Sequence, residues 1–307
     1  MAGLQKIAKR LDRLSHSLFP EQQATRNAFP LPHQLLLFFV LFGPFYLTST
    51  LLFADRFRGF DWVHFWSAGR IPPFYPPWTL PIVRLLNWHG LVGITLAATT
   101  LAALIRSEHP LSALLPLLTL PLLWTIFLGQ LEGIALLGLL GLPWLTPLAL
   151  IKPQVAIFAF GARKSYLLGL AIFLGLSLLV WGPWPLRALA VNRYYAEGRY
   201  VQDIGLGIYG AVIALPLLWL SRGDVDMLML SGAFLTPHLI PYNLLPVVPA
   251  IARLRPLPAV IASVLSWLPL SANWIGPWGW WLGWPFVLWL WLNLAVERYG
   301  WPLIRKP

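Results

Sequence analysis

The sequence predicts an all-α fold, a polytopic transmembrane helical bundle that forms a single domain over residues 31–307. Three observations support this prediction. Hydrophobic residues make up 58% of the 307 residues and charged residues 11%, whereas soluble domains carry about 25% charged residues. Apolar segments follow one another from residue 34 almost to the C-terminus, with no long polar insert. The 18 Trp and 29 Pro suit membrane interfaces and broken membrane helices.

Residues 1–30 are predicted to form a cytoplasmic, basic amphipathic helix on the membrane surface. One helical stripe is apolar and consists of Leu4, Ile7, Leu11, Leu14 and Leu18. A second stripe is basic and consists of Lys6, Lys9, Arg10 and Arg13. Helices of this kind lie in the headgroup region of a bilayer, and a disordered basic tail is the alternative. The first apolar run begins too late for a cleavable signal peptide.

The first membrane span is predicted at Gln34–Ala54, whose length is close to the ~20 residues that cross a bilayer. Later apolar segments lie near residues 80–105, 111–128, 130–142, 144–162, 165–181, 205–220, 226–240, 243–252, 257–270 and 281–297. Several of these are too short to cross alone. Gly, Pro and polar residues at 129–132, 152–154 and 237–243 predict broken or half-spanning helices around a cavity. We therefore expect about nine to twelve membrane segments.

The distribution of basic residues predicts the orientation in the cell membrane. With the N-terminus in the cytoplasm, fourteen of the 22 basic residues fall inside and eight outside, in agreement with the positive-inside rule. The polar loops 55–78 and 182–204 are then extracytoplasmic. The net charge of +11 does not indicate nucleic-acid binding, because the cations are scattered between apolar spans and suit anionic membrane lipid. The absence of Cys excludes disulfides and thiolate sites.

The outer loop 55–78 is the strongest candidate for a functional site. Its ionisable residues are Asp55, Arg56, Arg58, Asp61, His64 and Arg70, and it also contains Tyr75 and many other aromatic residues. Ionisable groups beside a bilayer are costly unless they are paired or used. The loop is either an interfacial aromatic belt with solvated charges or a site for a charged, sugar-like or lipid-phosphate ligand. Aromatic faces suit sugar rings, and the forked donors of Arg suit phosphate.

Further polar residues interrupt the apolar segments. Gln130 and Glu132 lie at an outer helix junction, where an unpaired carboxylate is costly. Lys152 precedes Pro153, which prevents simple continuation of a helix. It is a candidate phosphate ligand, or a cation that snorkels to the interface. His238, in a late segment rich in Pro, is either a hydrogen-bonded packing residue or a functional one.

Other sequence features limit the kinds of reaction and cofactor that are expected. Arg199 lies in the loop 182–204, which by itself fits an ordinary interfacial helix. The sequence contains no phosphate-binding P-loop, dinucleotide GxGxxG, GxSxG elbow or HExxH motif. We therefore expect no metal, nucleotide or other cofactor.

Three motifs follow one another within residues 34–250. The first is Asp61, Phe65, Ala68 and Tyr75-Pro76-Pro77, the second is Gly129-Gln130-Leu131-Glu132, and the third is Lys152-Pro153. In this order they resemble motifs of the C-type glycosyltransferase (GT-C) fold, and specifically of family 87, the polyprenyl-phosphomannose-dependent α-mannosyltransferases. The sequence departs from the family pattern at two motif positions and in residues 201–207, which lack the family's usual Asn-Gln-Ser character. Glu132 stands where the family usually has Asn, and Phe65 where it usually has Tyr.

The resemblance implies an inverting transfer of a sugar, mannose or another hexose or pentose, on the outer face of the membrane. The donor is a polyprenyl-phosphate-linked sugar and the acceptor a lipid or glycan. Such a transfer needs one base and cations that hold the departing phosphate. Asp61 aligns with the family's acidic position and is the expected base, with Asp55 as second candidate. The other expected substrate-binding residues are Arg58, His64, Arg70, Tyr75, Gln130, Glu132, Lys152, Arg199 and His238, among which Lys152 and Arg70 lead for the phosphate.

Two other classes of function stay open at this point. Broken helices and polar groups inside the membrane also serve a lipid-linked-sugar flippase or another transporter. A transporter needs polar groups on a path to both faces, whereas those in this sequence cluster on the predicted outer side. The third class is an inactive protein that retains the fold, and the departures at Glu132 and Phe65 are the reason to consider it.

Overall fold

The computed structural model describes residues 30–53, 57–69, 75–107, 109–187 and 201–300. All regular secondary structure within these ranges is helical and none of it is strand, as the sequence predicts. The residues of the predicted amphipathic helix, Leu4 to Leu18, lie outside the described residues.

Nine α-helices of nine residues or more occur in the described ranges. They are α1 (Leu31–Phe53), α2 (Trp88–Arg106), α3 (Leu120–Leu128), α4 (Glu132–Leu140), α5 (Lys164–Trp181), α6 (Ala211–Ser221), α7 (Val225–Ala233), α8 (Pro256–Leu265) and α9 (Trp284–Tyr299). Shorter α-helices are Thr79–Val83, Pro110–Leu114, Thr146–Ala149, Pro153–Ala156 and Ala272–Ile275. The 3-10 helices are Leu115–Leu118, Ile157–Ala162, Gly207–Gly210, Pro241–Arg253, Leu268–Ser271 and Gly276–Gly283, and Trp62–Trp66 is a π-helix.

Four helical stretches of the described chain are long and apolar enough to cross a membrane. They are Leu31–Phe53, Trp88–Arg106, Lys164–Trp181 and Pro256–Tyr299. In an apolar 18-residue stretch of α1, only 11% of the residues are buried inside the protein. In α5 the corresponding share is 6%. Apolar surfaces of this extent are stable against hydrocarbon chains and unfavourable in water. The structure therefore indicates a membrane protein.

The other predicted membrane segments are shorter or broken. Pro110–Leu118 and Leu120–Leu128 meet at a bend of 41° and make a fifth spanning stretch if they are taken together. Thr119 is extended at this bend (φ −94°, ψ 148°), and the free backbone groups around it bond to side chains. The Leu120 N–H donates to Ser266 Oγ (3.2 Å) and Trp267 donates to the Leu118 carbonyl (2.8 Å). Such local repair makes a broken helix tolerable at membrane depth.

The last helical stretch folds back on itself. A straight helix would separate Pro258 from Trp289, 31 residues later, by about 46 Å. The Trp289 indole N–H instead donates to the Pro258 carbonyl at 3.0 Å. Helices α8 and α9 therefore lie side by side, and the short helices between them form the turn.

A buried 3-10 helix, Pro241–Arg253, runs through the centre of the protein and is called the central helix below. All of its residues from Pro241 to Ala252 are buried. Pro246 and Pro249 lie inside it and lack the backbone N–H that a regular α-helix uses. The helix begins at Pro241, two residues before Asn243, and ends at Arg253, so Asn243 and Arg253 mark opposite ends of the bundle.

Five charged side chains, called the charged cluster below, meet at the Arg253 end of the central helix. Arg253 bonds to Asp224 (2.9 Å) and Asp226 (3.0 Å). Arg106 lies 3.3 Å from Asp226, and Arg298 lies 3.6 Å from Asp224. The ends of α2, α9 and the central helix are thereby tied to the start of α7. The three arginines share this one end of the bundle.

Candidate active site

Two glycines hold the polar loop 57–69 against the end of α3, at the other end of the bundle. Gly129 follows α3 with a φ of +73°, a left-handed conformation that glycine adopts without strain. A Cβ added to Gly59 would lie 2.5 Å from the Gly129 nitrogen, so the two backbones are in contact. Trp66 also donates its indole N–H to the Gly129 carbonyl (3.0 Å). Asp61 lies between these two anchors.

Asp61 is the partly buried carboxylate of this loop. It directly precedes the π-helix Trp62–Trp66, and irregular helical turns of this kind are frequent at functional sites. The side-chain amide of Gln130 donates a hydrogen bond to Asp61 Oδ2. Burial raises the pKa of the Asp61 carboxyl above its ordinary value, and the positive charge of Lys152 only partly offsets this. Asp61 is therefore a stronger proton acceptor than a solvated aspartate.

Tyr75 links this carboxylate to the interior. Its hydroxyl donates a long hydrogen bond to Gln130 Oε1 (3.4 Å), and its ring meets the Trp66 ring edge to face, with centroids 4.9 Å apart. The Lys152 Nζ atom lies 4.8 Å from the Tyr75 ring centroid and 5.2 Å from that of Tyr242. Both distances are within the range of cation–π attraction. Two aromatic rings therefore flank the ammonium group.

Lys152 and Glu132 form an ion pair in the protein interior. Lys152 Nζ lies 3.2 Å from Glu132 Oε1, and the two side chains are only 5% and 1% exposed. Asn243 donates its side-chain amide to the same carboxylate oxygen (2.8 Å). The other oxygen, Oε2, is buried and has no hydrogen-bond partner among the described residues. Because a carboxylate offers about four acceptor sites, Glu132 is only partly satisfied.

The starts of three helices bring these side chains together. Glu132 is the first residue of α4, where a negative charge is favoured by the helix dipole. Lys152 immediately precedes the helix Pro153–Ala156 with φ −127° and ψ 81°, because the residue before a proline is disfavoured in the α conformation. Asn243 lies in the first turn of the central helix, where its side-chain oxygen accepts the Ile240 N–H (2.9 Å).

A second polar pair joins the segments around residues 203 and 238. Asp203 Oδ2 lies 2.7 Å from His238 Nδ1. The other oxygen of Asp203 accepts the backbone N–H groups of Gly205 and Leu239, each at 2.9 Å. Burial raises the pKa of Asp203, but the hydrogen bonds and charge of these partners lower it by more, so that the pKa is below its ordinary value. Asp203 therefore holds His238 in place as an ionised acceptor.

An open apolar groove adjoins the contact between Gly59 and Gly129. It has a volume of about 560 Å³ and is lined by Phe53, Phe57, Leu120, Leu123, Trp124, Ile126, Phe127, Trp267 and Leu270. Phe57 and Phe127 each lie two residues before one of the two glycines. The groove therefore reaches the loop that carries Asp61.

The structure brings five of the predicted site residues together: Asp61, Tyr75, Gln130, Glu132 and Lys152. Of the other predicted residues, the structure describes Arg58, His64 and His238. Arg58 and His64 are exposed in the Asp61 loop, where the His64 ring stacks on Phe60 with centroids 4.2 Å apart. His238 pairs with Asp203. Arg70, Arg199 and the second candidate base, Asp55, lie outside the described residues.

Four residues of these contacts were not among the predicted site residues: Trp66, Asp203, Tyr242 and Asn243. Asn243 and Tyr242 belong to the Pro-rich segment in which the sequence drew attention to His238. What could have identified these two residues in the sequence is that a tyrosine and an amide directly follow Pro241 in an otherwise apolar run. Trp66 has no separate signal, because it is one of many aromatic residues in its loop.

Gly59→Ala is expected to displace the loop from the end of α3. The new methyl group overlaps the Gly129 backbone, which cannot move aside as a flexible side chain can, and overpacking of this kind costs about 1–3 kcal/mol. Thermal unfolding of the purified protein in detergent measures the loss. Gly175→Ala in α5 is the matched control, because a Cβ there meets nothing within 4 Å. Equal unfolding midpoints for the two variants would contradict the proposed backbone contact.

The described residues contain no group of three or more His, Asp or Glu side chains that could hold a metal ion. Comparisons of this chain with protein families, with curated proteins and with solved structures find no match.

Proposed function

We propose that this chain is an inverting membrane glycosyltransferase, which moves a sugar from a polyprenyl-phosphate donor to a lipid or glycan acceptor on the outer face. One observation supports the proposal best. A partly buried carboxylate, Asp61, is connected through Gln130 and Tyr75 to the ammonium group of Lys152, at one end of a bundle with membrane-spanning helices. A base close to a cation is the combination that transfer from a phosphate leaving group requires.

In the proposed reaction Asp61 takes the proton of the acceptor hydroxyl. At the same time the oxygen of that hydroxyl attacks the anomeric carbon of the sugar. The bond between that carbon and the phosphate oxygen breaks, and its electron pair leaves with the phosphate, which becomes a dianionic monoester. A single displacement inverts the configuration, so no second carboxylate is needed as a nucleophile. Gln130 holds Oδ2 of Asp61 and so orients the base.

Lys152 is the proposed partner of the donor phosphate. Its ammonium group is held by Glu132 and by two tyrosine rings, so its position is defined before a ligand arrives. A phosphate that reaches Lys152 must share the cation with Glu132. The cation then stabilises the negative charge that develops on the leaving group, and this stabilisation is strong where water is excluded.

The apolar groove supports a substrate with a long hydrocarbon chain. Its lining is apolar, and it is continuous through Phe57 with the loop that carries Asp61. We assign it to the isoprenoid chain of the donor, because such a chain gains about 0.8 kcal/mol for each buried CH₂ group. The phosphate at the end of that chain then meets the polar residues beside the groove.

The decisive experiment is a transfer assay with the purified full chain. The protein is incubated in detergent with polyprenyl-phosphate-linked mannose, glucose or arabinose and with a membrane lipid extract, and the products are identified by mass spectrometry. We expect one donor to yield a glycosylated product and free polyprenyl phosphate. If no donor yields a product under conditions where the protein is folded, the proposal is wrong.

Lys152→Met is expected to raise the KM for the donor by about tenfold or more, because one charge-assisted contact contributes about 1.5–3 kcal/mol. The KM for the acceptor should change by less than twofold. Initial rates at varied donor and acceptor concentrations measure both constants. Lys164→Met, at an exposed position at the start of α5, is the matched control. An unchanged donor KM would exclude Lys152 as the phosphate partner.

A lipid-linked-sugar flippase is the competing function. It requires polar groups along a path to both faces of the membrane, whereas the charged cluster at the far end consists of side chains that pair with one another. Reconstitution into vesicles distinguishes the two functions. Movement of a fluorescent lipid-linked sugar between leaflets, without formation of a glycosylated product, would favour the flippase.

A further inference from the structure

Among the described residues, one basic and two acidic side chains line the interior of the proposed site, and their charges do not cancel. Lys152 is neutralised by Glu132 at 3.2 Å, and the Asp61 carboxyl adds a second negative charge on the other side of Gln130. The described cation of the same loop, Arg58, is exposed, so water and salt screen its field. When all three groups are ionised, the described residues of the site's interior therefore carry a net negative charge.

We infer that Glu132 is a specificity-determining counter-ion, which makes this site favour a monoanionic phosphodiester over a dianionic phosphate monoester. The inference rests on the proposed function and deepens it. A polyprenyl-phosphate-linked sugar is a phosphodiester with one negative charge. The product left after transfer is a monoester, which carries two negative charges above its second pKa of about 6.

The position of Glu132 gives its charge a large effect. The side chain is 1% exposed, and charges interact more strongly where water is excluded. Any phosphate bound to Lys152 shares that cation with Glu132 and is repelled by the carboxylate. The repulsion is greater for the dianion than for the monoanion, so Glu132 weakens the binding of the product more than that of the donor. The same charge that reduces donor affinity thus promotes product release.

Hydrogen bonding alone does not account for a carboxylate at this position. The two contacts of Oε1, with Asn243 and with Lys152, need only an oxygen acceptor, which the side-chain amide of glutamine also supplies. Glu132 Oε2 has no hydrogen-bond partner within the described ranges. What glutamine lacks at this site is the negative charge.

The test compares the binding of two short probes at pH 8, farnesyl methyl phosphate as the diester and farnesyl phosphate as the monoester. Dissociation constants are measured by tryptophan fluorescence of the purified full chain in detergent. We expect the native protein to bind the diester about tenfold or more tightly than the monoester, as one unit charge a few ångströms away in a partly desolvated site requires. Glu132→Gln should bind the monoester about tenfold more tightly than the native protein does and should lose the preference for the diester.

Several outcomes would overturn the inference. It is wrong if the native protein binds the monoester as tightly as the diester, or if neither probe binds. It is also wrong if folded Glu132→Gln keeps the native preference. If Glu132→Gln does not fold, the affinities of the native protein for the two probes still test the inference, because they need no substitution. Sugar transfer is measured separately, so a native protein that transfers sugar without a diester preference refutes this inference and leaves the proposed function standing.

Discussion

Asp61→Asn is expected to lower the rate of sugar transfer by about 10²–10⁴-fold, which is the usual contribution of a general base. The amide that replaces the carboxylate cannot take the acceptor proton, while its oxygen still accepts the hydrogen bond from Gln130. The fold should therefore be preserved. Single-turnover transfer with a bound donor measures the chemical step directly. Turnover equal to that of the native protein would exclude Asp61 as the base.

Two further measurements make this result specific. Glu297→Gln is the matched control, because it makes the same chemical change at an exposed position on α9 and should keep native activity.

The pH dependence of sugar transfer by the native protein is the second measurement. Because burial raises the pKa of Asp61, kcat/KM should rise with pH through a pKa above the ordinary aspartate value of about 3.9. A rise centred at or below that value would mean that another group is the base.

Asp224→Asn is expected to destabilise the protein by about 3 kcal/mol, the low end of the range for removing one partner of a buried ion pair. The side chain is 8% exposed, bonds to Arg253 at 2.9 Å and lies 3.6 Å from Arg298. Asparagine can still accept a hydrogen bond from Arg253 through its Oδ1 atom, but the substitution leaves Asp226 as the one described carboxylate that pairs with Arg253 and removes the charge opposite Arg298. Asparagine still caps α7 through the Asp226 and Met227 N–H groups, so the loss reports the ion pairs and not the helix cap.

Thermal unfolding in detergent measures this loss. Burial raises the pKa of Asp224, but the neighbouring Arg253 lowers it by more, so that the folded pKa is below its ordinary value. Its contribution to stability is therefore present above about pH 4 and disappears as the pH falls through the folded pKa. Asp224→Asn should be insensitive to that change. Unfolding midpoints that match the native protein at pH 7 would show that the charged cluster does not hold the helices together.

The helical segments were predictable because they rest on a strong and local signal. Long runs without charge are stable in hydrocarbon only when the backbone bonds to itself, and a helix does this within one segment. The predicted span Gln34–Ala54 thus corresponds to α1 (Leu31–Phe53), and the predicted segment 165–181 to α5 (Lys164–Trp181). The predicted interruptions at 129–132, 152–154 and 237–243 all fall between helices or at their starts.

The pairing of side chains was less predictable, because it depends on how helix ends meet. Spacing in the sequence does not indicate that Asn243 reaches Glu132, 111 residues away, or that Lys152 lies between the rings of Tyr75 and Tyr242. Lys152 was expected to bind phosphate or to snorkel to the interface. In the structure it is buried and paired with Glu132, because α4 and the helix Pro153–Ala156 both begin at this point.

The sequence alone determined that the chain is helical, apolar over most of its length and interrupted by polar residues at a few defined places. These properties follow from the free energy of each segment in water or hydrocarbon, which neighbouring residues set. Only the tertiary structure decided which interruptions meet. It joined Asp61 to Gln130 and Glu132 to Lys152, and it placed the charged cluster at the opposite end of the bundle. Such contacts depend on the packing of whole helices, because a side chain is paired only when another helix brings its partner within about 3 Å.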